Sequence, residues 1–348
     1  MSVAIKSSIT PAFGRHETFT PRYAWFKRGY DAIVADPEVF NREAHVELGV
    51  GKNMAKSIRY WLQAMRIAEE LPTGNRRNRM VPTMFGKALL DDHVGFDRFL
   101  EAPDSWWALH WMALSPGGML PVWWTAFHSF GAMRFTTDSL LDHAAAQVTT
   151  SSWGDPKEKT VRRDVLALLR CYAGTSGSRR ADKVDDLIDA PFVGLGLVVP
   201  DGDGHRFALG PKPGLSPLTT AFACLDYLSR IGHTSRSQLI AGLASDQGGP
   251  GRAFKLTERD LGGLLSEAAR TVPQHLGITT SAGAEVLVVH GEEPLGVVAA
   301  KLLHSQYHRI TGAARPLTGR PYLPWSEESE AALVATLAAT RPVHRRWT

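Results

Sequence analysis

Cysteine is nearly absent. Cys171 and Cys224 are the only two in 348 residues, and they stand far apart and in no metal-ligand spacing. A disulfide framework and a zinc finger are both excluded on that count. Long apolar runs are missing too. The N-terminal MSVAIKSSIT has nothing of signal-peptide length. The greasiest stretch, SWWALHWMALSPGGMLPVWWTAFHSF at 105–130, is broken by Ser115-Pro116-Gly117-Gly118 and Pro121 and carries His110 and His128. It is too interrupted to span a bilayer and reads as two Trp-rich helices joined by a turn. There is no internal repeat and no low-complexity tract. Neither sign of charge dominates, the formal net being +4. With 44% hydrophobic and 21% charged residues, the composition is that of a soluble, cytoplasmic, globular protein.

What charge there is sits in one place. Residues 51–87 hold Lys52, Lys56, Arg59, Arg66, Arg76, Arg77, Arg79 and Lys87 against Glu69 and Glu70. The same window begins a helix-turn-helix pattern. With Gly49 as the turn glycine, the positions that should be apolar are Ala44, Leu48, Val50, Ala55 and Ile58, and all five are. Gly49 supplies the left-handed backbone such a turn needs. His45 departs from the pattern, which usually has a small residue there. In the second helix Met54, Ile58, Trp61 or Leu62, and Met65 make an apolar stripe. The opposite face offers Lys52, Asn53, Lys56, Arg59 and Tyr60 to the major groove of double-stranded DNA. PTGNRRNRM then has the look of a wing, with Arg76, Arg77 and Arg79 near a hairpin tip. If Lys52, Lys56, Arg59, Arg76 and Arg77 each neutralise a phosphate, the log–log salt slope of binding is roughly −4 to −5.

Elsewhere the pattern predicts an α+β chain, mainly helical, in three parts. These are an N-terminal winged-helix DNA-binding domain (1–92), a Trp-rich helical domain (93–173) and a C-terminal α+β domain (174–348). The last has room for a second winged-helix-like unit. Helix is expected over 21–35. Strand pairs are expected in LGLVVPDGDGHRFALG, 195–210, and in LGITTSAGAEVLVVHG, 276–291. Ser235 with Gln238 suggests a capping box opening a helix. GGPGRAFKL reads as a glycine turn and a short strand before a helix begun near Thr257.

Several motifs fail. GVGKN lacks the upstream glycine of a phosphate loop, Val46 standing there. DGDGH would need Glu where Lys212 stands to be a calcium loop. Asp155 and Lys157 have no placed upstream acid. His304 and His308 are read as a solvated helix face, and Asp91, Asp92, His93 and Asp97 as a helix-terminus loop. Two clusters are richer. FGRHETFTPRYAWFKRG packs His16, Glu17, Arg22, Tyr23, Lys27 and Arg28 among aromatics. Adjacent His and Glu suit proton transfer or a metal, and Arg and Lys suit a phosphate. GGPGRAFKL sets Arg252 and Lys255 beside a glycine turn where backbone N–H groups can cradle an anion, and GPKP with Lys212 is similar.

HETF..RYAWFKRG, LGVGKNMAKSIRYW, W..LHW, GPKP and PGRAFKL occur in that order across residues 13–310. Together they resemble the SspB family, which accompanies single-stranded DNA phosphorothioation genes in bacterial defence clusters. The resemblance implies a DNA nickase. Its cut opens the backbone to sulfur-transfer and ATPase proteins of the same system. The matching positions are His16, Glu17, Thr18, Phe19, Arg22, Tyr23, Gly51, Lys52, Asn53, Arg59, Tyr60, Gly210, Lys212, Gly251, Arg252, Phe254 and Lys255. Arg15 stands where the family has a small residue. On this reading His16 and Glu17 move protons or hold Mg²⁺ or Mn²⁺, Arg22 clamps the phosphate, and Tyr23 is a minor option as nucleophile. Two alternatives from other classes stand beside it. One is a winged-helix DNA-binding subunit or transcriptional regulator without chemistry. The other is a scaffold docking partners through its tryptophans, which are more often core.

Overall fold

A chain with this spacing of apolar residues builds helices first, and most of the molecule is helical. The computed structural model describes residues 9–71, 78–174 and 190–311. Helix α1 (Tyr23–Ala35) buries Trp25, Phe26, Gly29, Tyr30 and Ile33, a stripe at helical spacing, and packs against α3 (Lys52–Ala64). Between them lie a 3₁₀ turn (Val39–Asn41) and the single-turn helix α2 (Ala44–Glu47). The turn glycine is as expected: Gly49 has φ +58°. Ala44, Leu48, Ala55 and Ile58 are buried, and Val50 packs partly buried against them. Strands β1 (Ala68–Leu71) and β2 (Arg79–Pro82) follow, paired antiparallel from Ala68↔Pro82 to Leu71↔Arg79. Arg76 and Arg77 lie outside the described residues. Helix α4 (Met84–Leu90) is capped by the Thr83 hydroxyl, which accepts from Gly86 N–H.

The Trp-rich stretch forms the centre, as core. Helix α5 (Pro103–Leu114) is buried on every face, including Trp106, Trp107, His110 and Trp111. A helix apolar all round belongs in an interior. Helix α6 (Pro121–Trp124) runs into a π-helical turn (Thr125–Ser129). After β3 (Arg134–Phe135) come α7 (Thr137–Ser151) and α8 (Glu158–Ala173), packed on each other. The hairpin expected at 195–210 is β4 (Val198–Asp201) and β5 (Gly204–Phe207), and β3 joins it in the order β3-β5-β4. The middle segment and the C-terminal segment therefore share a sheet across the boundary expected at 173/174. The buried apolar residues form one continuous cluster from Ile9 to Tyr307.

The C-terminal part runs α9 (Pro217–Arg230), β6 (Ser237–Leu239), α10 (Ile240–Ser245), α11 (Pro250–Phe254) and α12 (Glu258–Thr271). It ends with β7 (Leu276–Ser281), β8 (Ala284–Val289) and α13 (Leu295–Thr311). Its sheet order is β6-β8-β7, and α9 lies along α13. Two local expectations change. Ser235 does not open a helix: its hydroxyl accepts from Ser237 N–H just ahead of strand β6. The PGRAF segment is the helix α11, not a strand, because Pro250 pre-sets its first turn. Thr257 does cap α12, in a reciprocal box with Asp260. No described helix is long and apolar enough to cross a membrane.

A buried polar network ties these layers. Trp111 Nε1 and Arg230 Nε both donate to Asp226 Oδ2, at 2.7 and 2.6 Å. Arg66 has a left-handed backbone, φ +54°. Its half-buried guanidinium donates to the carbonyls of Met112, Ser115 and Pro116, where α5 ends. It staples the β1–β2 hairpin to the central helix.

Candidate functional site

Helix α3 has one face in the core and one in solvent, and the expected contact residues divide between them. Lys52, Asn53 and Lys56 are exposed, with Lys56 Nζ 3.4 Å from Asn53 Oδ1. Arg59 is not free to meet a phosphate. Its Nε and one terminal nitrogen donate to Glu70 Oε1 of β1 at 2.7 and 2.6 Å. Tyr60 is buried, and its hydroxyl donates to the Ala12 carbonyl at 3.3 Å. Burial pushes its phenol well above the usual range, with Asp164 adding to the rise. Tyr60 is an interior anchor for the N-terminal loop, which corrects its expected place on the DNA face. Arg79 is half-buried at the start of β2.

That loop carries His16 and Glu17. Trp61 of α3 holds it from one side by donating Nε1–H to the Phe19 carbonyl at 3.1 Å. Asp164 of α8 holds it from the other. Its Oδ1 lies 2.7 Å from His16 Nε2, and Gly14 N–H donates to both carboxylate oxygens at 3.0 and 3.1 Å. Gly14 is left-handed (φ +66°), and a side chain there would meet Thr160 Cγ2 at 2.7 Å. Only glycine lets the loop lie this close to α8. His16 is 3% exposed, beside the rings of Tyr60 and Trp61, and its Nδ1 is enclosed with no hydrogen-bond partner among the described residues. Glu17 and Thr18 follow with φ +50° and +72°. Non-glycine residues in this region cost on the order of 1–3 kcal/mol each, and such strain clusters at functional sites. The Glu17 carboxylate reaches solvent 3.8 Å from Lys56 Nζ. The loop and the exposed face of α3 are thus one surface, although 35 or more residues separate them in sequence.

Arg22 and Tyr23 open α1. The Arg22 guanidinium lies over Trp25, 5.7 Å from the ring centroid, and Tyr23 sets its ring edge-on to Trp106 at 4.5 Å. Burial raises the Tyr23 phenol. A raised phenol is a poorer nucleophile at neutral pH, which argues against the minor role expected for it.

The late motifs turn out to be structural. Lys255 is left-handed (φ +52°) and buried; its Nζ donates to the Phe127 carbonyl at 2.8 Å and lies 4.1 Å from the centre of the Phe207 ring. Arg252 donates to the carbonyls of Ser245 and His128, both at 2.6 Å. Lys212 donates to those of Ala208 and Gly210, both at 2.6 Å. These cations cap the end of the π-turn and the β5 exit, where carbonyls have no helical partner. They do not form an anion cradle. Burial pulls Lys255 down to about 7, with Arg252 and Lys212 adding repulsion, and Lys212 to about 8. Between pH 7 and the ordinary lysine range the unfolded chain holds the Lys255 proton that the folded chain has lost. Stability from this group therefore rises with pH across that window. In urea unfolding at pH 7 and pH 10, Lys255→Met is expected to show a smaller rise than the wild type. An equal rise would mean the amine is not desolvated.

Asp164 is the residue that sequence reasoning missed. A signal existed: it stands in the apolar stripe Val161, Val165, Leu168 of α8, where a lone carboxylate needs a buried partner. The metal expectation is narrowed. His16 Nε2 is taken by Asp164, which leaves His16 only its enclosed Nδ1 toward an ion, while the Glu17 carboxylate faces solvent. Among the described residues no three His, Cys, Asp or Glu side chains are grouped to hold an ion. Asp91 accepts from Tyr30 and from the backbone N–H groups of His93 and Val94, consistent with a helix-terminus loop.

A family model described as a protein of unknown function, DUF4007, matches residues 13–307. No curated protein matches. Two solved structures do: a magnesium ion-bound SspB crystal structure, with a TM-score of 0.83, and an SspB crystal structure, with 0.82. Each is 31% identical over 96% of this chain and 96% of its own. Agreement of fold and sequence over nearly the whole length has one reading, that the chain belongs to the SspB family.

Proposed function

We propose that this protein nicks one strand of duplex DNA, cutting where the HETF loop meets the exposed face of α3. The cut admits sulfur-transfer and ATPase partners in phosphorothioate modification and anti-phage defence. The observation that carries the reading is the joining of loop and helix, with Glu17 3.8 Å from Lys56. Helices α1 to α3 with the β1–β2 hairpin have the connectivity of a winged helix, in which α3 is the recognition helix. The α9-to-β8 unit, in the order α-β-α-α-α-β-β with a β6-β8-β7 sheet, likewise ends in a helix followed by a hairpin. The exposed face of its α12 is balanced, Glu258 and Glu267 against Arg259 and Arg270, so the first unit is the better match for DNA.

Hydrolysis needs a water relieved of a proton, a neutralised phosphate and a stabilised leaving oxygen. Lys52 and Lys56 supply positive charge to the phosphates, and Asn53 can read a base edge. Glu17 is the loop's only carboxylate and faces solvent, so it is the residue that would hold magnesium, the remaining ligands being waters and phosphate oxygens. When bound, the ion supplies charge neutralisation at the phosphate.

The test is supercoiled plasmid incubated with purified protein and Mg²⁺, Mn²⁺ or EDTA. Open circles support the reading. Intact plasmid with a gel shift would leave a DNA-binding subunit or regulator without chemistry. Binding alone gives a second check. Lys52→Ala with Lys56→Ala is expected to flatten the log–log salt slope by about 2. Arg59→Ala should leave the slope within about 0.5, since its charge is held by Glu70. A double variant with an unchanged slope would remove α3 as the DNA site.

A further inference from the structure

Asp164 lies 148 residues from His16, in none of the motifs that mark this family, yet among the described residues it is the group bonded to the His16 ring. The pair is buried, with side-chain exposures of 4% and 8%. The carboxylate cannot swing away, because the Gly14 N–H holds both of its oxygens. A carboxylate accepts only. The nitrogen facing it must therefore carry the proton, which in the neutral ring leaves the lone pair on the other nitrogen. That other nitrogen, Nδ1, is the enclosed atom that no group among the described residues satisfies. Buried His110 bonds through both nitrogens, to Tyr172 and the Ala253 carbonyl, and His128, whose Nδ1 is also unsatisfied, bonds through Nε2 to the Leu114 carbonyl; His16 differs from both in facing a carboxylate.

Resting on the nicking reading, we infer that Asp164 is a positioning residue that fixes His16 as the Nε2–H tautomer and presents Nδ1 as the proton acceptor for the cut. In the step, Nδ1 takes a proton from water as the water oxygen bonds to phosphorus. The scissile P–O bond breaks, and the leaving oxygen takes up a proton, which the imidazolium can return. Nδ1 is enclosed, so water reaches it only when the loop that carries His16 shifts.

The experiment pairs Asp164→Asn with the wild type. Asparagine keeps an oxygen for Gly14, but its amide N–H₂ can donate to Nε2 and turn the ring to the Nδ1–H tautomer. We expect nicking slower by on the order of 10²- to 10⁴-fold, DNA affinity within about threefold, and a changed tautomer. The tautomer is read from ¹⁵N-histidine NMR, with the His16 signals identified by their loss in His16→Gln. Asp164→Asn that nicks within about threefold of wild type overturns the inference and leaves the nicking reading standing. A wild-type Nδ1–H signal does the same, and does so without relying on any variant's folding. Plasmid left intact by the wild type overturns both.

Discussion

Glu17→Ala is expected to hold DNA at least as tightly as the wild type and to nick it at least about 100-fold more slowly, the scale on which positioned acid–base and charge-stabilising groups act. The side chain contributes little to the fold. Among the described residues it meets Lys56 at 3.8 Å, and both are open to solvent, a kind of pair worth at most about 1 kcal/mol. Alanine meets the same backbone cost as glutamate at φ +50°, so the loop keeps its shape. Removing a carboxylate beside Lys56 also removes repulsion toward phosphate, which is why affinity should hold or rise. The comparison is between plasmid relaxation rates and gel-shift affinities for the two proteins. Equal nicking rates would take Glu17 out of the site. A parallel fall in affinity would make it a binding group instead.

Asp226→Ala is expected to lower unfolding free energy by about 3–5 kcal/mol, the cost of removing one partner from a buried ion pair. Against a usual total of about 5–15 kcal/mol this is a large fraction. The Asp226 side chain is 1% exposed and Arg230 is 9% exposed. Without the carboxylate, the Arg230 guanidinium loses its closest counter-charge. Trp111 loses the acceptor of its indole N–H. Arg66 is already held well below the usual arginine range by burial and by Arg230, and it loses the favourable influence of Asp226. Asp226→Asn keeps an oxygen for Trp111 and should recover part of the loss. Urea unfolding with an unchanged slope in denaturant measures it. A loss below about 1 kcal/mol would show that the pair adds little beyond its own desolvation.

What the sequence shows plainly is whatever repeats within a few residues. Gly49 and its five apolar neighbours, the α1 stripe, the two Gly-centred hairpins and the Thr257 cap are local patterns, and each forms where expected. The failures are long-range. Tyr60 lies on the outward side of α3 by helical arithmetic, but residues 12–19 fold over it and bury it. Arg59 looked available until β1 brought Glu70 across to it. Lys255 and Arg252 carry charge that suggests an anion, yet their partners are the carbonyls of a π-turn more than 120 residues upstream. The candidate site was half legible. HETF and KNMAK were both visible, but nothing in their spacing says that Glu17 meets Lys56, and Asp164 has no motif at all.

The His16–Asp164 bond closes a loop of 148 residues. Contacts of such span are bought late in folding, after loop-closure entropy has been met by packing elsewhere. The HETF loop can take its shape only once α3 and α8 are both in place. The geometry around His16 is then a property of the assembled core and not of the N-terminal segment that carries the motif. An intermediate with every helix formed but α8 undocked would have the right residues and no site. On the proposed nicking function, this confines any active geometry to molecules that have finished folding.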